Sequence, residues 1–476
     1  MLVVIDGAVP AMLSAGVEAG RMPALATLIE RGRFVSDAVS VFPSVTPVCA
    51  ASIATGVGQD RHRIPGMNWY QRGEERYVEY GSSFRASLRF GLARQLTDTI
   101  YNMNGEHLAR EAPTVFEELD DASLRTAGTT YLIYRGRHRQ MPVRDSLLTR
   151  IAALSVVRRP VLGPRELFYA DVFASRSTGC TGTLGMPGVR DRHAGCVSAY
   201  MVEHDLFDFL LLSLPDNDNH SHRFGPDGQG PALAEADRQL WRVFEAGGGV
   251  DRFLAEHAVI VVADHAHTLV ESTVSLVAHF TGRFDIRLPT DLREPGSAEV
   301  ALCPNSRAAM VYVLEPRLLE RVVDHCRRLD GVEHVIWREG EEVAIAGAGG
   351  ELRIAPGDAL ADARGGRWSV RGDLSVLDAR IDGGVFRSER FPDALARVWD
   401  AASCPTSGEV LLSARDGVEF TDWGGASHIR GGSHGSLGAG DSLAPLICCG
   451  VEGGLEREQW SIKDVAPLVR RHFGLA

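Results

Sequence analysis

Carboxylate and imidazole side chains recur in this sequence directly after apolar runs and in one glycine-rich loop. The two side-chain types together are common ligands of zinc and similar divalent ions. Two such ions about 3.5–4 Å apart form a clamp for in-line displacement at phosphorus, because they bind the attacking and the leaving oxygen. Any one of these residues has a structural alternative as a helix cap or turn residue, but their recurrence predicts a two-metal site for phosphoryl chemistry. In chain order they are Asp6, Asp216, Asp218, His220, His222, Asp264, His265 and His434.

Thr46 offers a hydroxyl nucleophile for this chemistry. Pro47 disfavours the α region at the residue before it, so Thr46 stands on a turn that leads into a helix. The N-terminus of a helix favours an approaching anion. The competing interpretation is that Thr46 only caps this helix, with Pro47 at the first helical position. Ser44 is the other hydroxyl in the segment.

The elements that must position these residues are apolar strands that alternate with helices. The strongest strand signal is residues 207–214 (FDFLLLSL), which run directly into the acidic stretch. Residues 2–5 and 258–263 form similar runs, and helical spacing recurs at Pro23–Arg31 and 232–246. This alternation predicts an α/β fold with a doubly wound, mostly parallel sheet, in which ligands bind outside the carboxyl ends of the strands.

Residues 300–400 have a different pattern, with short predicted strands around one helix. We predict that they form a smaller α+β insert or cap domain, and that residues 1–299 and 401–476 form the catalytic core. Two later apolar runs, residues 409–413 and 444–449, are expected to return to the core sheet.

The composition excludes some classes of function. The 476-residue chain is 45% hydrophobic and 24% charged, which is typical of a globular protein. A net charge of −12 argues against binding to a nucleic acid duplex. A small phosphorylated substrate is compatible with that charge, because bound metal ions reverse the local sign. No apolar run approaches the roughly 20 residues of a membrane-spanning helix, and a monomer or homodimer is expected.

The eight cysteines contain no CxxC pair. The chain begins with a strand-like run instead of the basic segment of a signal peptide. These features predict mostly reduced thiols and a cytoplasmic location. The alternative is a disulfide between Cys180 and Cys196.

A locally basic stretch, residues 134–139 (YRGRHR), has two interpretations. The favoured interpretation is a solvated surface. The alternative is a guanidinium group that reaches toward a phosphate or an anionic lipid headgroup.

Several segments resemble one known family. Residues 42–56 (FPSVTPVCAASIATG) resemble the nucleophile motif of type I phosphodiesterases and nucleotide pyrophosphatases, in the alkaline phosphatase superfamily, with Thr46, Ser52 and His62 in register. The other segments that resemble motifs of this family are residues 218–226 (D-x-x-x-H-x-x-G-P), 263–265 (S-D-H) and 433–435 (the motif of the third metal histidine).

The resemblance implies two zinc-like ions, with manganese as the alternative metal. Asn68 matches the family asparagine that donates to a phosphoryl oxygen, although this match needs one inserted residue after His62. By the same analogy, the first ion is held by Asp6, Thr46, Asp264 and His265, and the second by Asp218, His222 and His434.

The second metal motif occurs in two overlapping frames. One frame pairs Asp216 with His220, and the other pairs Asp218 with His222. The Gly-Pro at residues 225–226 is in register only with the second frame, which we therefore choose.

Two other positions depart from the family pattern. Arg63 follows His62, where the family usually has glycine. Ala266 and His267 replace the usual Gly-Met after the Asp-His pair. His267 is either an extra contact in the site or a loop histidine, and we favour the loop histidine.

The implied activity is hydrolysis of phosphodiester or nucleotide pyrophosphate bonds through a phospho-threonine at Thr46. The alternatives on the same metal cluster are a phosphomonoesterase and a phosphonate hydrolase of the phosphonoacetate type. A binding protein without activity is the alternative from another class, and the complete set of ligands argues against it. Trp69 and Tyr70 follow Asn68 and are expected to pack in the core, not to stack on a substrate.

Overall fold

The computed structural model describes residues 1–143, 157–289, 297–452 and 456–475. In this part of the chain, eight strands form one sheet. The five central strands of this sheet, from Val259–Val262 to Glu166–Tyr169, run parallel to one another. From one edge to the other, the order of the strands is Arg33–Val39, Leu443–Cys449, Val259–Val262, Leu2–Ile5, Phe209–Leu214, Thr126–Thr129, Glu166–Tyr169 and Phe173–Ala174.

Helices cover both faces of this sheet. Side chains alternate across a strand, so Leu2 and Val4 lie in one core cluster with residues of the helix Thr46–Thr55. Val3 and Ile5 lie in a second cluster on the opposite face, with residues of other helices. The predicted doubly wound, mostly parallel sheet is confirmed.

The helices of the described residues are mostly short. Two of them, Pro23–Arg31 and Gly230–Ala246, match the predicted helices closely. A wider π-helical segment covers Asp98–His107. The other α-helices are Pro10–Glu18, Thr46–Thr55, Gln59–His62, Phe84–Phe90, Leu92–Thr97, Val115–Asp121, Arg190–Glu203, Asp216–Phe224, Val250–Glu256, Leu276–Phe280, Leu319–Cys326, Ala394–Ala402, Ala439–Ser442 and Val465–His472.

A second, mostly antiparallel sheet packs against the core cluster that contains Leu2 and Val4. The predicted strand at 409–413 belongs to this sheet, as Val410–Ala414, and not to the first one. A fully buried apolar strand looks the same in either sheet, so its sequence does not identify its partners. The extent of the insert as a domain stays a prediction. In chain order, the strands of this sheet are Ile286–Arg287, Val300–Asn305, Ala308–Val313, Val332–Glu339, Glu342–Gly347, Gly350–Asp362, Arg367–Gly372, Arg380–Asp382, Val385–Arg387 and Val410–Ala414.

Cys180 and Cys196 form a disulfide, with 6.0 Å between their Cα atoms. The expectation of a reduced pair is therefore wrong, because spacing alone does not reveal that residue 180 folds back onto the helix Arg190–Glu203. The other cysteines are free, as predicted. Stable disulfides are typical of oxidising compartments, and the cytoplasmic location stays a prediction.

The basic stretch at 134–139 differs from its favoured interpretation. Arg135 is buried, and its Nε donates to Glu117 Oε2 at 2.9 Å. Arg137 is exposed and pairs with Glu117 and Asp121. One guanidinium group of this stretch is therefore part of the core, and another lies on the surface. Among the described residues, no helix is both long and apolar enough to span a bilayer.

Candidate active site

Three neighbouring strands of the first sheet bring three carboxylates to one edge. Val259–Val262, Leu2–Ile5 and Phe209–Leu214 lie side by side and parallel, so their carboxyl ends coincide. Asp264 lies two residues after the first of these strands, and Asp6 directly follows the second. Asp218 lies in the first turn of the helix Asp216–Phe224, which follows the third strand. The predicted convergence of these side chains is therefore a property of the sheet topology.

The first cluster contains Asp6, Asp264 and His265, all buried. Asp264 Oδ1 accepts hydrogen bonds from the backbone N–H groups of Gly7, at 3.1 Å, and His265, at 3.0 Å. The Nε2 of His265 lies 3.5 Å from Asp6 Oδ1 and 3.5 Å from Asp264 Oδ2. Asp6 Oδ1 is buried and has no hydrogen-bond partner within the described residues. A buried, unpartnered carboxylate oxygen next to an imidazole nitrogen fits a divalent cation.

Thr46 lies beside this cluster, at the first position of the helix Thr46–Thr55. Its Oγ1 is 3.4 Å from His265 Nε2. The residue at the N-cap is Val45, and no side chain caps the helix. The competing interpretation of Thr46 as the N-cap residue is therefore wrong, and its hydroxyl is left to face the cluster.

The second cluster contains Asp218, His222 and His434. The Nδ1 of His222 donates to the carbonyl oxygen of Gly432 at 2.8 Å, and that of His434 to the carbonyl oxygen of Ser44 at 2.7 Å. With the proton on Nδ1, each Nε2 presents a lone pair, 3.3 Å and 3.6 Å respectively from Asp218 Oδ1. Lone pairs that face a carboxylate oxygen fit a cation between them, and the backbone bonds are the outer contacts that orient metal-binding imidazoles.

The electrostatics of the clusters favour a bound cation. Burial, together with the charges of Asp264 and Asp218, raises the pKa of Asp6 well above its usual value. Burial lowers the pKa of His222 to about 4, so this imidazole is neutral near pH 7. Neutral imidazole is the form that binds metal ions, and a positive ion relieves the repulsion among the carboxylates.

The last histidine of the second cluster reaches the site from outside the first sheet. His434 follows the short strand Gly432–Ser433, which pairs with Thr268–Leu269 in a separate two-stranded sheet. It therefore does not follow a strand of the first sheet, although its ring stacks on His265 with centroids 3.7 Å apart. One ring of this stacked pair belongs to the first cluster, and the other belongs to the second.

Asp216 and His220, the residues of the other metal-motif frame, make contacts outside the clusters. His220 Nε2 is 3.0 Å from the carbonyl oxygen of Gly228, away from Asp218. Asp216 accepts from the backbone N–H groups of Gly188 and Asp191. The structure brings Asp218 and His222 together, and it does not bring Asp216 or His220 into the cluster.

The side chain of Asn68 makes its hydrogen bond within a hairpin. The residue begins the hairpin strand Asn68–Gln71, and its side-chain amide donates to the carbonyl oxygen of Val78 at 3.0 Å. It is also absent from the residues that line the cavity over the clusters. The contact of Asn68 with a phosphoryl oxygen of the substrate stays a prediction. Trp69 and Tyr70, 1% and 5% exposed, pack in the core as expected.

A cavity of about 660 Å³ opens over both clusters. The residues that line it include Asp6, Thr46 and Asp218 and one cation, Arg190. The lining also contains a set of apolar and aromatic side chains, so the cavity suits a substrate with an anionic end and an apolar or aromatic end. The larger of these side chains are Tyr80, Phe84, Leu96, Ile100, Tyr131, Leu132, Tyr169 and Val172.

Two further histidines belong to the site. His428 lines the cavity and stacks on His222, with ring centroids 4.0 Å apart. Burial alone would lower the pKa of His428, but the hydrogen bond to Glu419, at 2.7 Å, raises it above its usual value. His267, expected to be a loop histidine, is 4% exposed, and its Nε2 lies 3.0 Å from Asp218 Oδ1. The sequence signal for both was their closeness to motif residues, six before His434 and two after His265.

A hydroxyl beside clustered carboxylates and imidazoles, at the carboxyl ends of a mostly parallel sheet, is the arrangement of phosphoric ester hydrolases of the alkaline phosphatase superfamily. The chain belongs to the type I phosphodiesterase / nucleotide pyrophosphatase family, whose model matches residues 1–436. Among curated proteins, no sequence matches the chain significantly.

Solved structures that resemble the fold include a phosphonoacetate hydrolase and ectonucleotide pyrophosphatase / phosphodiesterase 5. Phosphonoacetate hydrolase from Sinorhizobium meliloti 1021, in complex with phosphonoformate, is 18% identical with a TM-score of 0.56, over 100% of this chain and 95% of that chain. Murine ectonucleotide pyrophosphatase / phosphodiesterase 5 is 13% identical with a TM-score of 0.58, over 100% of this chain and 95% of that chain. An inactive threonine-to-alanine variant of the murine protein, in complex with AMP, has a TM-score of 0.59 at 12% identity, over 100% of this chain and 94% of that chain.

Proposed function

We propose that the chain hydrolyses phosphodiester or nucleotide pyrophosphate bonds, with Thr46 as the nucleophile. The observation that carries the proposal is the position of Thr46, which lines the cavity, has its Oγ1 3.4 Å from His265 Nε2 and has no capping role in its own helix. In the first step the Thr46 oxygen bonds to phosphorus and the alcohol or nucleoside monophosphate leaves. In the second step a water oxygen displaces the threonine from phosphorus, which regenerates the hydroxyl and releases the phosphorylated product.

The proposal includes two divalent ions, zinc or manganese. The first would be held by Asp6, Thr46, Asp264 and His265, and the second by Asp218, His222 and His434. When bound, such ions lower the pKa of a hydroxyl or a water and offset the charge of the phosphoryl oxygens. The residues themselves keep the nucleophile and the carboxylates in fixed positions before the substrate enters, which lowers the entropic cost of the reaction.

A phosphonate hydrolase is the second candidate. One observation favours it: Arg190 lines the cavity, where its charge, although paired with Asp216 through Nε at 2.9 Å, suits a second anionic group of the substrate. The carboxylate of a phosphonoacetate-type substrate is one such group, and phosphonoacetate hydrolase is among the proteins of similar fold. A second phosphate of a nucleotide would use the same cation, so substrates and not geometry separate the two candidates.

The test is a substrate panel with purified protein and added zinc or manganese. It contains bis-para-nitrophenyl phosphate, para-nitrophenyl phosphate, a nucleoside triphosphate and phosphonoacetate. We expect the diester or the triphosphate to give the highest kcat/KM. A preference for phosphonoacetate would replace the first candidate with the second, and a preference for the monoester would make the protein a phosphomonoesterase.

The nucleophile is tested separately by rapid quenching and peptide mass spectrometry. We expect a phosphate on the peptide that contains Thr46 in the wild type, and none in Thr46→Ala, whose turnover is abolished while its metal content persists. Ser44→Ala provides the comparison, because the Ser44 hydroxyl is buried and accepts from the N–H of Gly435 at 3.1 Å. Phosphorylation that disappears in Ser44→Ala but persists in Thr46→Ala would refute the assignment.

A further inference from the structure

His267 lies nearer to the acceptor oxygen of the second cluster than either proposed histidine ligand. Its Nε2 is 3.0 Å from Asp218 Oδ1, compared with 3.3 Å for His222 and 3.6 Å for His434. The His267 side chain has no exposed surface. Three imidazoles therefore converge on one carboxylate oxygen.

The ring of His267 is held between two glycines. A Cβ added at Gly7 would lie 2.5 Å from His267 Nε2, and a Cβ added at Gly432 would lie 2.9 Å from His267 Nδ1. Both distances are too short for any side chain, so the absence of one at each glycine makes room for the imidazole. His267 Nδ1 has no hydrogen-bond partner within the described residues, and the position of the ring thus depends on this packing and on what Nε2 binds.

The ligand atoms of Asp218, His265, His267 and His434 all lie within 4.8 Å of one another. One ion that binds Asp218 Oδ1 is therefore within reach of His267 Nε2. Imidazole nitrogen is a strong ligand for zinc, cobalt and related ions. A side chain that only filled a loop would not need to place this nitrogen at the carboxylate.

We propose that His267 is a fourth protein ligand of the second metal ion, together with Asp218, His222 and His434. This inference rests on the proposed two-metal centre. Four protein ligands fill the usual tetrahedral shell of zinc, so a substrate oxygen can join this ion only as a fifth ligand. The second ion is consequently held more tightly, and exchanges more slowly, than an ion with three protein ligands.

The direct test uses the wild-type protein with isotope-labelled histidine and NMR-active cadmium in place of the native ions. The second-site resonance is identified by its loss in Asp218→Asn. We expect this resonance to show coupling to the nitrogens of His222, His267 and His434. Coupling to only two imidazole nitrogens would overturn the proposal and leave His267 as a hydrogen-bond donor that orients Asp218.

The matched test measures zinc affinity by competition with a chelator, in His267→Gln and in the control His220→Gln. Loss of an outer contact of a metal ligand weakens metal binding by roughly 10–100-fold. Loss of His267 as a direct ligand is therefore expected to lower the affinity for the second ion by about 100-fold or more. In His267→Gln the affinity for the first ion should equal that of the wild type, and in His220→Gln the affinities for both ions should do so. Unchanged affinity for both ions in His267→Gln would refute this role and leave the proposed function intact. A wild type that binds fewer than two ions would refute both.

Discussion

Asp216 and Asp218 lie two residues apart on one helix and make entirely different contacts. Asp216 Oδ1 accepts from Arg190 Nε at 2.9 Å and from the backbone N–H of Gly188 at 2.8 Å. Asp218 Oδ1 instead faces imidazole nitrogens, of which His267 Nε2 is 3.0 Å away. Asp216 therefore holds the segment that contains Gly188 and Arg190, and Asp218 lies in the site.

This difference predicts opposite phenotypes for the two amide variants. Asp218→Asn should lower kcat/KM by about 100-fold or more and remove the second metal ion, because a carboxylate ligand is lost. Asp216→Asn should keep both ions and instead lower the free energy of unfolding by about 1–3 kcal/mol, because the charged acceptor of Arg190 is lost. Metal content, steady-state kinetics and urea unfolding of both variants check this. The reverse pattern would move the second metal to the frame of Asp216 and His220.

Much of the candidate site could be predicted because several of its proposed metal ligands follow strands in sequence. Asp6 and Asp264 come directly after buried runs, and parallel strands place such positions at one edge. The proline that follows Thr46 and the family motif indicate this residue as the candidate nucleophile. These signals are local, and the sheet topology converts them into proximity.

The parts that could not be predicted depend on contacts between distant segments. The packing of His267 between Gly7 and Gly432 involves three separate loops, and no local pattern encodes it. The disulfide of Cys180 depends in the same way on how a loop returns to a helix. The strand Val410–Ala414 has a clear strand pattern, but its partners in the second sheet are set by tertiary packing.

Arg63 offers a test of a departure from the family pattern. It has a φ of +67° and is exposed, at the position where the family usually has glycine. A left-handed backbone costs a non-glycine residue about 1–2 kcal/mol, and glycine offsets part of that gain through its larger unfolded-state entropy. Arg63→Gly should therefore raise the free energy of unfolding by about 0.5–1 kcal/mol.

Arg61→Gly is the matched control for this substitution. Arg61 is also exposed but lies within the helix Gln59–His62. Glycine in a helix destabilises by about 0.5–1 kcal/mol, so the two variants should change urea midpoints in opposite directions. If Arg63→Gly were as destabilising as Arg61→Gly, the left-handed conformation of Arg63 would be contradicted.

The disulfide predicts a thiol count and a stability difference. Alkylation of the unfolded, unreduced protein should label six cysteines, and reduction should raise the number to eight. A crosslink over a separation of 16 residues stabilises a fold by about 3 kcal/mol. Reductant should therefore lower the free energy of unfolding of the wild type by about that amount and leave Cys196→Ser unaffected. Labelling of eight cysteines before reduction would exclude the disulfide.

His62 gives the protein a defined sensitivity to acid. The backbone N–H of Ile64 donates to His62 Nδ1 at 3.1 Å, so the proton is on Nε2, which is 3.1 Å from Ser52 Oγ. Burial, with a smaller contribution from the charge of Lys463, lowers the pKa of His62 to about 3. Below pH 6.5 the unfolded chain binds a proton that the folded chain does not. The stability contributed by neutral His62 is thus complete above pH 6.5 and is lost as the pH falls toward 3.

The expected loss is at most about 1.4 kcal/mol per pH unit, or about 2–3 kcal/mol between pH 6.5 and 4.5. His62→Gln removes the titration but keeps a neutral donor and acceptor, so its free energy of unfolding should fall less steeply over this range. His204→Gln, at an exposed histidine, is the control for the loss of an imidazole. Urea unfolding at half-unit pH steps compares the three proteins, and metal release contributes equally to each. Parallel curves for wild type and His62→Gln would show that His62 is protonated in the folded protein, and its hydrogen bonds to Ile64 and Ser52 would then be assigned incorrectly.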